Sequence, residues 1–215
     1  MRPAAVLFDC DGVIVDSEPT TDRVIAANLT RHGLPMDPDG VRSLFRGGTM
    51  FGVADAARTR GANLGEGWVD AVYAEVFDAL AAGTPLIEGI TSVLDALDAA
   101  AIPYAVGSNG PHRKMAITLG QHPALHDRLR GRIYSREDVA RPKPAADLYL
   151  YAANRIGAEP SRCIVIEDSA TGARAARAAG MRCLGYAPHD DGAALAAVGA
   201  RPFRHMDELP ALLGL

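Results

Sequence analysis

The feature that most constrains this chain is a series of short, unbroken apolar runs. "AAVLF" (4–8), "IPYAVGS" (102–108), "GRIYS" (131–135), "CIVIED" (163–168) and "MRCLGY" (181–186) are each short enough for a strand. Segments of helical period follow or separate them: "ITSVLDALDAA", "PHRKMAITLG", "PAADLYLYAANRIG", "SATGARAARAAG" and the closing "MDELPALLGL". A run with no polar alternation reads as a strand covered on both faces. Strands joined through helices read as parallel. The expected fold class is α/β, a three-layer Rossmann-like parallel sheet core.

Residues 18–83 break this alternation. "TTDRVIAANLTRHG", "GVADAARTRG" and "WVDAVYAEVFDALAAG" carry helical spacing and stop at glycine. The first run has no strand partner nearby, so it belongs with the later strands. The expected organisation is an α/β core of residues 1–16 and 84–215, with an all-helical cap domain, 17–83, inserted after the first strand. The junctions are expected near 16–19 and 83–88.

Composition narrows the function. At 215 residues and 48% hydrophobic, the chain can fill one good core and a small lobe. A net charge of -4 gives no general attraction to nucleic acid or an anionic membrane, so an anion must be met by a local site. No apolar stretch approaches the roughly 18 residues of a membrane span. "MRPAAVLFDCDG" does not read as a signal peptide. Cys10, Cys163 and Cys183 lack close-paired spacing and read as small hydrophobes in a reducing cytoplasm. Lys114 and Lys143 are the only lysines.

Ligands of open parallel sheets bind at the carboxyl ends of the strands. There the chain puts Asp9 and Asp11, then Ser108 and Asn109, then Glu167 and Asp168, with Lys143 between two prolines in "RPKP". Carboxylates so gathered repel unless a cation joins them, and a hard divalent cation such as Mg²⁺ suits them. A phosphoryl group would add an oxygen to that cation. Ser108, Asn109, Lys143 and backbone N–H groups after Asp9 are donors for its other oxygens. His112, Arg113 and Lys114 follow the loop after the 102–108 strand. They read as an exposed helix start, with a place at the site entry as the second reading.

"FDCDGVIVDS", "VGSNG", "RPKPAADLYLYAA" and "IVIEDSATGARAARAAGM" resemble the four ordered motifs of the haloacid dehalogenase-like superfamily, in its phosphatase and β-phosphoglucomutase-like branch with a helical cap. The resemblance spans nearly the whole chain. It implies that Asp9 is the nucleophile, forming an aspartyl-phosphate, and that Asp11 is the general acid/base. It implies Mg²⁺ bound by the carboxylates of Asp9 and Asp168 and the backbone carbonyl of Asp11, with Glu167 acting through a water on the metal. Ser108 and Lys143 would hold the phosphoryl group, with Asn109 assisting. An acid at the position of Asp11 fits phosphate esters, because the superfamily's dehalogenases lack one there. Arg46, in the cap loop "LFRGGTM", reads either as a substrate contact reaching over the site or as a solvated surface arginine.

The same resemblance weighs hydrolysis against isomerisation. β-Phosphoglucomutases carry a histidine where this chain has Thr21, an arginine where the best match is Met50, and a cap lysine, which residues 17–83 do not contain. Hydrolysis is the expectation, with a phosphomutase and a non-catalytic metabolite-binding module as alternatives. "VGSNGPHRKM" and "PALHDRLRGRIYSREDVARPKP" are further similar to bacterial sugar-phosphate phosphatases acting on 6-phosphogluconate. The expected enzyme is a cytoplasmic monomer. Its expected partner is a small phosphorylated substrate.

Overall fold

The computed structural model describes residues 2–45 and 48–215. The chain opens with β1 (Ala5–Phe8) and passes through α1 (Glu18–Arg31), α2 (Pro38–Phe45), α3 (Met50–Thr59) and α4 (Trp68–Ala81). It returns through α5 (Ile90–Ala99) to β2 (Tyr104–Ser108), α6 (His112–Gly120), α7 (Pro123–Arg128) and β3 (Ile133–Ser135). Then come α8 (Asp147–Arg155), β4 (Cys163–Glu167), α9 (Ala170–Ala178), β5 (Arg182–Tyr186), α10 (Ala193–Ala196), β6 (Arg201–Phe203) and α11 (Leu209–Leu213).

The strands form one six-stranded sheet in the order β3-β2-β1-β4-β5-β6. Every pairing in it is parallel. The chain builds outward from β1 on one side, then crosses back and builds outward on the other. β1 and β4 therefore flank a topological switch point, where a crevice opens at the carboxyl ends.

The unbroken apolar runs have a direct cause. β1, β2 and β4 are buried at every residue, because helices cover both faces. Val6, Phe8, Tyr104, Val106, Ile164 and Ile166 pack on one face with α5, α6 and α11. Ala5, Leu7, Ala105, Cys163 and Val165 pack on the other with α8 and the alanine-rich side of α9. Burying a side chain such as Leu94 or Leu97 contributes about 1.5–3 kcal/mol relative to leaving it exposed.

A third apolar cluster lies within α1–α4 and includes Ile25, Leu29, Val53, Trp68, Val72 and Leu80. Asn28 ties its helices by polar contacts, accepting from Trp68 Nε1 at 2.7 Å and donating to Glu75 at 2.9 Å. The two chain crossings between this cluster and the sheet run side by side. Asp16 N–H donates to Pro85 O at 2.8 Å, and Ile87 N–H to Ile14 O at 2.9 Å.

Four elements differ from the sequence expectation. α2 begins with Pro38 and contains Gly40, residues that read as breakers although proline is favourable in a first helical turn. α7 and α10 are too short to show a period. β6 is three residues at the sheet edge with Pro202 inside it, a residue tolerated in edge strands.

Candidate active site

β1 delivers Asp9, whose N–H donates to Ile166 O of β4 at 2.9 Å. Phe8 is level with Val106 of β2 and Ile166 of β4, so these three strand ends lie side by side. After Asp9 the chain folds back on itself. Val15 N–H reaches Cys10 O at 3.0 Å, and Gly12 N–H reaches Val15 O at 2.9 Å. Gly12 has φ +73, and a Cβ there would lie 2.6 Å from Asp168 Oδ2, so only glycine fits this turn. Cys10 is buried in the core beneath it, in the packing role expected.

Lys143 is the centre of the deepest part of the site. Its side chain is 3% exposed, and Nζ donates to Asp9 Oδ1 at 2.8 Å and Glu167 Oε1 at 2.7 Å. Nζ also lies 4.6 Å from the centroid of the Tyr149 ring, whose hydroxyl donates to Glu167 Oε1 at 2.8 Å. Ser169 closes the other side of Glu167, with its N–H at 3.1 Å and its hydroxyl at 2.9 Å from Oε2. Asn109 brackets the backbone of Lys143. Its Nδ2 donates to the Lys143 carbonyl at 3.1 Å, and its Oδ1 accepts the Lys143 N–H at 2.9 Å.

The charges follow from this wiring. Burial opposes a charged Lys143, but Asp9 and Glu167 outweigh it and hold the ammonium above the ordinary lysine range. Burial likewise opposes a charged Glu167, and Lys143, Tyr149 and Ser169 bring it below the usual carboxylate range. Asp9 is pushed well up by burial. Lys143 opposes that push, while Glu167, Asp168 and Asp11 add to it. Asp9, Glu167 and Asp168 each offer a carboxylate oxygen within 4.8 Å of the others. An all-oxygen acidic set of this density fits a hard divalent cation, which would favour the ionised form of Asp9.

Asp11 stands on the opposite side. Its Oδ1 accepts from Ser17 Oγ in a short hydrogen bond and from Lys114 Nζ at 2.8 Å. Its Oδ2 faces Ser108 Oγ at 3.5 Å. Burial raises the Asp11 carboxyl, but Lys114 and Ser17 carry it below the ordinary value. Ser108 is buried and accepts the Gly110 N–H at 2.9 Å.

A pocket of about 130 Å³ joins the two sides, roofed by α1, α3 and α4. Asp9, Asp11, Ser108, Asn109, Lys143, Glu167 and Asp168 all line it. Thr21 and Met50 line it from the helical side, with an apolar wall that includes Ile25 and Val53. Arg46 lies outside the described residues. Lys114 differs from its first reading: only 12% of its side chain is exposed, and it enters the pocket. Ser17 and Tyr149 were not singled out. Ser17 closes the first motif itself, whereas the period of α8 does not set Tyr149 apart from the residues that pack beside it.

The fold and the site define a hydrolase of the parallel α/β type, with carboxylates and a buried lysine at its switch point. The chain belongs to the haloacid dehalogenase-like hydrolase family, whose sequence model matches residues 3–180. It is 31% identical over 213 residues to the 6-phosphogluconate phosphatase of Escherichia coli strain K12, covering 98% of this chain and 95% of that one. It is 33% identical over 192 residues to the validoxylamine A 7'-phosphate phosphatase of Streptomyces hygroscopicus subsp. limoneus, covering 88% of each. Among solved structures, a HAD family hydrolase from Deinococcus radiodurans R1 with bound phosphate and sodium superposes with a TM-score of 0.80 at 36% identity. That match covers 99% of this chain and 96% of the other. The phosphatase relatives support phosphoric monoester hydrolysis as the reaction class of this enzyme. Among the described residues, no helix is long and apolar enough to cross a membrane.

Proposed function

We propose that the protein is a Mg²⁺-dependent phosphatase of small phosphorylated metabolites, a sugar phosphate or a sugar-acid phosphate such as 6-phosphogluconate. The observation that carries this reading is the pairing of Asp9 with Lys143 at 2.8 Å, with Asp11 on the far side of the same pocket. Asp9 is the nucleophile. Its carboxylate oxygen bonds to phosphorus while the ester P–O bond breaks, leaving an aspartyl-phosphate. Asp11, ionised in the empty site, takes up a proton as the negatively charged phosphate ester settles beside it, and gives that proton to the departing alkoxide. It then takes a proton from the water that attacks phosphorus, which frees phosphate and restores Asp9.

Lys143 meets the charge of the transferring group, and Ser108 donates to its oxygens. Glu167 and Asn109 keep Lys143 aimed, one through its ammonium and one through its backbone. Mg²⁺ would be held by the carboxylates of Asp9 and Asp168 and the Asp11 carbonyl, with Glu167 nearby, and would supply charge neutralisation to the phosphoryl oxygens. Residues 17–83 act as a cap on a core of residues 1–16 and 84–215, and closure excludes bulk water. Thr21 and Met50 line the cap side and offer neither imidazole nor guanidinium, which supports transfer to water over transfer to a second hydroxyl.

Phosphate release from a panel of phosphorylated sugars, sugar acids, polyols and p-nitrophenyl phosphate tests this reading. Asp9→Asn and removal of divalent cations with EDTA are each expected to abolish release. Full activity in either condition overturns the mechanism. A phosphorylated isomer in place of free phosphate overturns the hydrolase assignment.

A further inference from the structure

Lys114 is the lysine that this chemistry leaves unused. It sits in the first turn of α6, where the helix dipole disfavours a cation, and its side chain is largely withdrawn from water. Both costs are met by one partner. Nζ lies 2.8 Å from Asp11 Oδ1. Ser17 Oγ bonds the same oxygen from the other side. Among the described residues, Oδ2 meets the long 3.5 Å approach of Ser108 Oγ, on the wall where the phosphoryl group would sit. One oxygen of Asp11 is thus clamped between two donors, and the other is turned into the pocket.

The start of α6 is itself fixed from outside the helix. His112 N–H donates to Glu137 Oε2 at 2.9 Å, and His112 Nε2 lies 2.9 Å from Asp138 Oδ1. Gly110 O accepts from Ser135 Oγ at 2.7 Å. Lys114 therefore projects from a braced position.

We propose that Lys114 is a positioning residue for Asp11: with Ser17 it pins Oδ1, so that Oδ2 is presented to the leaving oxygen of the substrate. This rests on the phosphatase reading above, in which Asp11 moves the proton. Lys143 serves the phosphoryl group, and Lys114 serves the proton donor.

The test separates substrates by leaving group. kcat/KM reports events up to formation of the aspartyl-phosphate, and p-nitrophenolate departs without a proton donor whereas a sugar alkoxide needs one. Lys114→Met is expected to lower kcat/KM about 30-fold or more for a sugar phosphate and only about threefold for p-nitrophenyl phosphate, part of the 10²–10⁴ a positioned acid supplies. Lys114→Arg is expected to recover part of the difference. Ser17→Ala, which removes the other clamp, is expected to shift the same ratio in the same direction by a smaller factor. Melting temperatures of all variants report on folding.

Equal losses on both substrates overturn the positioning role, as does a loss confined to KM for a sugar-acid phosphate, which would make Lys114 a substrate contact. An Asp9→Asn protein that still releases phosphate overturns the underlying mechanism. Active wild type, inactive Asp9→Asn and an unchanged alkyl-to-aryl ratio in Lys114→Met overturn the Lys114 role alone.

Discussion

The two lysines reach one pocket from opposite sides and are held in different ways. Lys143 comes from the loop before α8 and is gripped by Asp9, Glu167, the Tyr149 ring and the Asn109 amide. Lys114 comes from a helix start and meets one carboxylate, which Ser17 also holds. The deep side is a closed network of charges, and the loss of one member strands the others. The Asp11 side has two donors on one oxygen and keeps one when the other is lost. The difference teaches where redundancy lies: the cation shared by Asp9 and Glu167 has no substitute, while the cation on Asp11 has a partial one in Ser17.

Removing Lys143 is the largest test of that contrast. Lys143→Met leaves Asp9 and Glu167 facing each other in the interior without their shared cation. Breaking a buried ion pair from one side costs about 3–5 kcal/mol. Loss of a charge-stabilising donor costs about 10²–10³ in rate. Urea unfolding and phosphate release should therefore both fall far below those of Lys114→Met. Equal stability losses for the two variants would break the comparison.

Gly172→Ala attacks the deep side without touching a charge. A Cβ at Gly172, in the first turn of α9, would sit 1.6 Å from Glu167 Oε1. The carboxylate must then leave its place between Lys143 and Ser169. The expected outcome is a stability loss of about 1–3 kcal/mol from overpacking, with a fall in phosphate release on every substrate alike. Uniform loss would distinguish this side from the leaving-group-selective loss expected on the Lys114 side. Wild-type thermal stability in Gly172→Ala would show that Glu167 has another resting place.

The contrast also explains what could be read from the sequence. Asp9, Ser108, Glu167 and Asp168 end or directly follow strands, and strand ends are visible as the points where apolar runs stop. Lys143 was marked by its prolines. Lys114 lies six residues beyond Ser108, and only the turn of α6 brings it back over the strand ends. Two signals were present for it: the chain has a single other lysine, and a cation in a first helical turn opposes the dipole. Tyr149 was hidden differently, because one side of its ring packs as core while its hydroxyl serves Glu167. In the fold, the buried central strands were legible as continuous runs. The edge strand β6 was not, because half-exposed residues at an edge carry no such run.

The smallest expected effect concerns what braces the Lys114 side. Arg136, Glu137 and Asp138 form the turn after β3. Glu137 and Asp138 hold the start of α6. Arg136 points the other way, its guanidinium 5.3 Å from the Phe51 ring of α3 and 5.9 Å from the Tyr73 ring of α4. Among the described residues, Arg136 Nε is a buried polar atom without a hydrogen bond, and both rings lie within cation–π reach of the guanidinium. The turn that braces Lys114 thus also touches the helical insert, whereas the partners of Lys143 all come from sheet ends, their adjoining loops and α8. Phe51 is 56% exposed, so Phe51→Ala removes the ring contact with little loss of packing. A cation–π contact of this kind is worth about 0.5–1 kcal/mol, or about two- to fivefold in an equilibrium. The expected result is a rise of that size in KM with kcat and melting temperature nearly unchanged, as for a slightly weaker closure of the insert over substrate. A fall in kcat selective for sugar phosphates would show instead that the turn transmits its displacement to Lys114 and Asp11, which would join the Phe51 contact and the Asp11 side into one unit.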